Sequence, residues 1–143
     1  MILFCDTSAL MKLYAHEQNS DWTRIQVEGA QTCVVSQVTW VEMCSALSLK
    51  SRTNQLTPPQ ITLAMERLKV EWPGYVRLAL DNSLIITAGE LALTFGLRAY
   101  DSLQLASAQR AHSQAGSTLA FACFDKQLNA AAKALGIHTL NPM

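Results

Sequence analysis

The chain has 143 residues, of which half are hydrophobic, and its 11 basic residues balance its 11 acidic ones. This length is sufficient for one domain with its own core, so we expect a single domain over residues 1–143. The longest apolar run, residues 84–97, is interrupted by two glycines and a glutamate, and no secretory leader is recognisable, so we expect a cytoplasmic protein that does not cross a membrane.

The first predicted element is a buried strand over residues 2–5, where four apolar residues follow one another. Asp6 comes next, and Asp6, Thr7 and Ser8 are residue types that start helices. Asp6 therefore lies at the carboxyl end of a strand, which is where open α/β sheets bind their ligands. The alternative interpretation is that Asp6 only caps the helix.

The second acidic residue of interest is Glu42, in a helix predicted over residues 38–52 after a second strand at 32–35. On a helical wheel Glu42 lies inside an apolar sector. An unpaired carboxylate there would cost several kcal/mol or take up a proton, so a cation, a metal ion or a water-filled cleft should compensate it. The alternative is a glutamate at the edge of the apolar sector that reaches solvent.

The remaining elements continue to alternate between helices and strands. We predict helices over 60–71 and from 82 to about 95, from near 100, and after 125, and strands over 76–80, 118–123 and 137–140. Asp81 directly precedes one of these helices and is interpreted as its cap. The alternation predicts an α/β fold of three layers with a central parallel sheet of four to five strands.

Two further acids occupy positions like those of Asp6 and Glu42. Asp101 falls in the first turn of the helix that begins near residue 100, and it shares a face with Leu105 and Ala108, so it points toward the protein body. Asp125 repeats the order of strand, acid and helix that is seen at Asp6. A capping role, or one that supports a ligand without touching the metal, explains Asp125 nearly as well as direct ligation.

If these four acids meet in one crevice, their mutual repulsion requires compensation. Mg²⁺ or Mn²⁺ fits a site built only from oxygen ligands, and such a site suits metal-assisted hydrolysis of phosphodiesters. Setting the four acids aside leaves seven acids against 11 bases on the rest of the chain. A mildly basic surface around an acidic pocket permits binding of a phosphate backbone.

Four blocks of the sequence resemble those of PIN-domain ribonucleases, and within them the VapC toxins of type II toxin–antitoxin pairs. The blocks are Asp6-Thr7-Ser8-Ala9-Leu10, Ser36-x-x-Thr39-x-x-Glu42, Leu97-Arg98-Ala99-Tyr100-Asp101 and Phe124-Asp125-x-x-Leu128. They occur in the family's order over essentially the whole chain.

The resemblance implies an endoribonuclease that depends on Mg²⁺ or Mn²⁺. Asp6, Glu42, Asp101 and Asp125 would be its catalytic and metal-binding tetrad. It also implies a homodimer, an RNA substrate and a small antitoxin protein that blocks the acidic groove. Thr7 matches a hydroxyl position that can touch metal-bound water or substrate, although capping of its helix is the interpretation that the sequence favours.

Three bases lie near the proposed tetrad in the sequence and are candidates for phosphate contacts, namely Lys12, Arg98 and Lys126. The alternative for each is a solvated surface base. The third block departs from the family at Ser102 and Gln104, where relatives often carry alanine and histidine. Because neither is a tetrad position, the departure concerns substrate preference or local packing rather than catalysis.

Two other classes remain open from the sequence. One is a PIN fold without catalytic activity that serves as an interaction module. The other is a different phosphotransfer protein with an acidic pocket, such as a phosphoaspartate receiver or a haloacid-dehalogenase-type phosphatase. The phosphatase requires Asp-x-Asp after the first strand, whereas Asp6 is followed by Thr7 and Ser8. The paired acids and late lysine of a receiver are not recognisable in this sequence.

Overall fold

The fold is organised around a parallel five-stranded sheet, in a computed structural model that describes residues 1–142. The strands are β1 (Ile2–Cys5), β2 (Thr32–Ser36), β3 (Val76–Leu78), β4 (Leu119–Ala122) and β5 (His138–Leu140). Their order across the sheet is β3-β2-β1-β4-β5, and every neighbouring pair is parallel. The predicted sheet of four to five parallel strands is therefore confirmed.

In the described part of the chain, seven α-helices connect and flank these strands. They are α1 (Thr7–Leu10), α2 (Ser20–Gly29), α3 (Val38–Arg52), α4 (Pro58–Glu71), α5 (Asn82–Phe95), α6 (Ala99–Ala115) and α7 (Lys126–Ala134). Within residues 1–142, no helix is both long enough and apolar enough to span a bilayer.

Local sequence signals account for several helix ends. Thr57 and Gln60 form a capping box at the start of α4, and Asp81 accepts a hydrogen bond from the backbone N–H of Leu84, as predicted. Gly96, with φ of 66°, ends α5 in the left-handed conformation that glycine adopts without steric cost.

The helices form two layers, each with its own apolar core against one face of the sheet. Side chains from α5, α6 and α7 surround Phe4, which stacks on Phe121 at 5.8 Å between ring centroids. On the other face, side chains from α1, α3 and α4 surround Leu3 and Cys5. Adjacent residues of β1 thus point into different cores, as a central strand requires.

The strand order reverses direction at the boundary between β1 and β4. The chain builds outward from β1 through β2 to β3, and it then returns to place β4 and β5 on the other side of β1. The helices that follow β1 and β4, α1 and α7, pack on opposite faces of the sheet. Their divergence leaves a crevice at the carboxyl ends of these strands, the usual place for a ligand in open α/β sheets.

Helix α4 offers a matched test of how much its inner face contributes to stability. Leu68 is fully buried, whereas Leu63 on the same helix is 59% exposed. Because Leu68→Ala leaves a cavity, we expect it to lower the free energy of unfolding by about 2–5 kcal/mol, and Leu63→Ala by about 0.5 kcal/mol or less. Urea unfolding monitored by circular dichroism measures both values, and equal losses would contradict the placement of α4.

Candidate active site

Asp6 is buried at the carboxyl end of β1, and three neighbouring groups donate hydrogen bonds to its carboxylate. Its Oδ1 accepts from the backbone N–H of Ala9 at 3.1 Å and from the hydroxyl of Ser8 at 2.7 Å. Its Oδ2 lies 3.3 Å from the Cys123 thiol, which donates to it. Asp6 thus caps α1 and at the same time faces the end of β4.

Burial raises the pKa of Asp6 from its ordinary value of 3.8 to about 6. Its three hydrogen bonds lower this pKa in part, and the nearby charge of Glu42 raises it again. Burial and the charge of Asp6 also raise the pKa of the Cys123 thiol, which therefore stays neutral and keeps the proton that it donates. A carboxylate with a raised pKa in a crevice is typical of a functional site.

Glu42 points from α3 toward Thr7 at the start of α1, and side chains of two other helices hold it. The Thr7 hydroxyl donates to Glu42 Oε1 at 2.9 Å, and the Gln104 amide donates to the same oxygen at 2.7 Å. Burial, followed by the charge of Asp101, raises the pKa of Glu42, while the two donors lower it. The inward direction expected for Glu42 from the helical wheel agrees with these contacts.

Asp101 and Asp125 lie at the more exposed side of the crevice, and Arg98 lies between them. The guanidinium is 3.4 Å from Asp101 Oδ2 and 4.0 Å from Asp125 Oδ2. Asp125 also caps α7 by accepting from the backbone N–H of Leu128 at 2.8 Å. Arg98 thus links Asp101 to Asp125, while Thr7, next to Asp6, and Gln104, one turn after Asp101, both contact Glu42.

The predicted phosphate-binding bases occupy different environments. Arg98 has an 84% exposed side chain at the crevice, and Lys126 is exposed in the first turn of α7 next to Asp125. Lys12, by contrast, is largely buried, where it pairs with Glu17 at 3.2 Å and lies 4.5 Å over the ring of Phe124. Its amino group is thus already engaged by partners within the chain.

The hydroxyl of Thr7 has a different role from the capping that the sequence favoured. Asp6 supplies the cap of α1, whereas Thr7 donates to Glu42. The error arose because both residue types cap helices, and their division of roles depends on Glu42, which is distant in the sequence.

Two residues that the sequence interpretation did not place in the site are in contact with its acids. The Ser8 hydroxyl donates to Asp6 and accepts from the backbone N–H of Phe124 at 2.9 Å, so it joins the ends of β1 and β4. Gln104, interpreted from the sequence as a matter of packing or substrate preference, binds Glu42 directly. Its spacing of one helical turn from Asp101 was the available signal.

The chemistry of these side chains fits a hard divalent cation, since all four tetrad members offer oxygen. One oxygen of Glu42 carries both hydrogen bonds, and the guanidinium of Arg98 shows that a positive charge is accommodated between Asp101 and Asp125. In the arrangement observed for residues 1–142, however, no three acidic, histidine or cysteine side chains are grouped as ligands of one ion.

Comparison with known protein families shows to which family this chain belongs. The model of the PIN domain family matches residues 3–134. The chain belongs to the PIN domain family. Ribonuclease VapC49 from Mycobacterium tuberculosis is 27% identical to this PIN domain over 135 residues, which are 94% of the chain and 92% of the relative.

Solved structures agree with this PIN fold. A chain of FitAcB from Neisseria gonorrhoeae superposes with a TM-score of 0.71 and 21% identity, covering 99% of this chain and 98% of the other. A chain of a toxin–antitoxin complex from Klebsiella pneumoniae superposes with a TM-score of 0.66 and 15% identity, covering 100% and 98%. The family and the fold expected from the four sequence blocks are therefore confirmed.

The raised pKa of Asp6 predicts that ionisation of this carboxyl lowers the free energy of unfolding of the metal-free PIN domain. Because the folded state holds this proton more tightly than the unfolded chain, stability falls as pH rises from the ordinary value of 3.8 to about 6. We expect Asp6→Asn to raise the free energy of unfolding at pH 7 by up to about 3 kcal/mol, and the difference from wild type to vanish near pH 4. Urea unfolding of both proteins in EDTA at pH 7 and pH 4 measures this difference in the free energy of unfolding.

Asp81→Asn is the matched control, because Asp81 also follows a strand and caps a helix. Its partner Arg110 lowers the pKa of Asp81, so its charge stabilises the folded state above its ordinary pKa. We expect Asp81→Asn to lower stability at pH 7, the opposite sign to Asp6→Asn. Loss of stability in both variants would contradict the conclusion that the buried charge of Asp6 destabilises the folded state at pH 7.

Proposed function

We propose that this protein is an endoribonuclease that depends on Mg²⁺ or Mn²⁺ and acts as the toxin of a toxin–antitoxin pair. The observation that supports this most directly is the convergence of Asp6, Glu42, Asp101 and Asp125 at the crevice between β1 and β4. The relative named Ribonuclease VapC49 supports RNA as the substrate, and the complex from Klebsiella pneumoniae supports an antitoxin partner.

In this proposal the acids hold the cation and orient a water toward the scissile phosphate. When bound, Mg²⁺ or Mn²⁺ supplies Lewis acidity that makes a water nucleophilic and stabilises charge on the phosphate. Glu42 through Oε2, together with the carboxylates of Asp101 and Asp125, would be the ligands at the crevice, and the Asp6 carboxylate would join them. Thr7 keeps Glu42 directed into the crevice.

The substrate backbone would approach along the exposed rim of the crevice. Arg98 and Lys126 are the bases there, and the exposure of the Arg98 side chain allows it to leave Asp101 and Asp125 for a phosphate. Lys12 contributes to this rim by supporting Phe124 beside Asp125. We propose a cytoplasmic location, because this is where messenger RNA is translated.

The outer face of α5 supports the proposed homodimer. Ile86 is 58% exposed and Leu93 is 90% exposed, and their spacing of seven residues places them on one face of the helix. A second copy of the chain that covers this face would remove both side chains from water.

Removal of single carboxylates tests the proposed chemistry. Because Asp6 and Glu42 are assigned to metal and water, we expect Asp6→Asn and Glu42→Gln each to lower cleavage at least about 100-fold while the protein stays folded. The substrate is a pool of random-sequence single-stranded RNA, and the reaction contains Mn²⁺. Sequencing counts the new RNA ends that cleavage produces. Mn²⁺ binding is measured by calorimetry on the same samples.

Asp81→Asn is the control for this experiment, because Asp81 is an acid after a strand that is paired with Arg110 outside the crevice. It should retain wild-type cleavage. Cleavage without divalent metal, or undiminished cleavage by both crevice variants, would overturn the proposal. A wild-type protein that binds RNA or an antitoxin but never cleaves would instead identify a non-catalytic PIN fold.

Substitution on the outer face of α5 tests the homodimer. We expect Leu93→Glu to shift the protein from dimer to monomer, because a charged side chain would be buried between two copies. Leu63→Glu, on the 59% exposed Leu63 of α4, is the matched control and should leave the dimer intact. Light scattering coupled to size-exclusion chromatography gives the masses, and an unchanged dimer in Leu93→Glu would exclude this face.

A further inference from the structure

Gln104 is a buried amide whose contacts all lead to the acidic crevice. Its side chain extends from α6 one turn after Asp101, and the residue is 1% exposed. The amide nitrogen lies 2.7 Å from Glu42 Oε1, 2.8 Å from Thr39 Oγ1 and 3.1 Å from Thr7 Oγ1. Gln104 therefore connects α6 with α3 and α1 at the point where these helices meet the tetrad.

The orientation of this amide is set by Glu42. With the nitrogen toward Glu42, the carbonyl oxygen of Gln104 is buried without a hydrogen-bond partner among the described residues. The reversed amide would place that oxygen against the carboxylate of Glu42, so that two acceptors would face each other. A buried carbonyl without a partner destabilises a fold, so an amide in this environment is a poor choice for packing alone.

The contacts also make the two oxygens of Glu42 different from each other. Oε1 accepts from both Gln104 and Thr7, and Thr7 in turn accepts from Gln104, so the three side chains fix one carboxylate orientation. Oε2 receives no hydrogen bond from residues 1–142 and is the oxygen left for a ligand. A carboxylate held in this way does not have to lose rotational freedom when it binds a cation.

We propose that Gln104 is the positioning residue of this site, which fixes Glu42 through Oε1 so that Oε2 is presented to the divalent cation. This inference rests on the proposed metal-dependent nuclease function and assigns to it a residue outside the tetrad. In this proposal Gln104 acts through Glu42, with Thr7 and Thr39 as its other partners, and it does not touch the cation or the RNA.

The test compares two variants at position 104 with a control on the same helix. Gln104→Met keeps the length of the side chain but removes its donors, and Gln104→Ser is a second variant that does not reach Glu42. The control is Ser107→Ala, since Ser107 is fully buried on α6 but donates only to the backbone carbonyl of Leu103. Calorimetry with Mn²⁺ in the absence of RNA measures metal affinity, and steady-state cleavage gives kcat and KM.

We expect both Gln104 variants to bind Mn²⁺ about 10-fold or more weakly, as is typical when a partner that orients a metal ligand is removed. Their kcat should fall while KM for RNA stays constant, and Ser107→Ala should match wild type in all three quantities. In a Glu42→Gln background, Gln104→Met should cause no further loss of Mn²⁺ affinity, because its effect passes through the Glu42 carboxylate.

Three outcomes would overturn the inference. The first is wild-type Mn²⁺ affinity in a folded Gln104 variant. The second is that Gln104→Met weakens Mn²⁺ binding as much in the Glu42→Gln background as it does in the wild type. The third is that both Gln104 variants fail to fold while Ser107→Ala folds, which would make Gln104 structural. If wild-type protein neither binds Mn²⁺ nor cleaves RNA, the proposed function itself fails and this inference fails with it.

Discussion

Repulsion between carboxylates at one edge of the sheet is the constraint that the surrounding structure has to satisfy. The chain satisfies it differently at the two depths of the crevice. The inner pair, buried Asp6 and half-buried Glu42, is held by neutral donors, among which are Ser8, Thr7 and Gln104. The outer pair, Asp101 and Asp125, is partly exposed and is held by the charged guanidinium of Arg98. Neutral donors stabilise the inner carboxylates without bringing a second charge into the interior, where its desolvation would cost further free energy. The guanidinium of Arg98, by contrast, stays in contact with water at the rim.

The topology of the sheet explains why these acids lie along one crevice. Asp6 follows β1 and Asp125 follows β4, and these neighbouring strands are the place where the strand order reverses. Glu42 and Asp101 reach the same crevice from helices on opposite faces of the sheet, since α3 packs on one core and α6 on the other. Three layers and one switch point are therefore sufficient to bring together side chains that are far apart in sequence.

The amino-acid sequence predicts the fold well, and it singles out four acids by local patterns alone, as residues that follow strands or lie on inward helix faces. Apolar runs gave the strands, and the cap at Asp81 followed from its position before a helix. The hydrogen-bond partners were less accessible. The role of Thr7 depends on Glu42, and that of Ser8 on the backbone of Phe124, so neither is encoded by neighbouring residues. Gln104 was underestimated because a neutral amide on an inward helix face is compatible with simple packing.

The pairing of β1 with β4 has a consequence for the order in which the protein becomes competent during translation. The ribosome delivers Asp6 and Glu42 early, but β1 gains its second neighbour only when residues 119–122 have emerged, and Asp125 follows them. Until then the nascent chain carries an incomplete set of acids and a central strand with one open edge. The carboxyl-terminal strands therefore complete both the sheet and the acidic crevice.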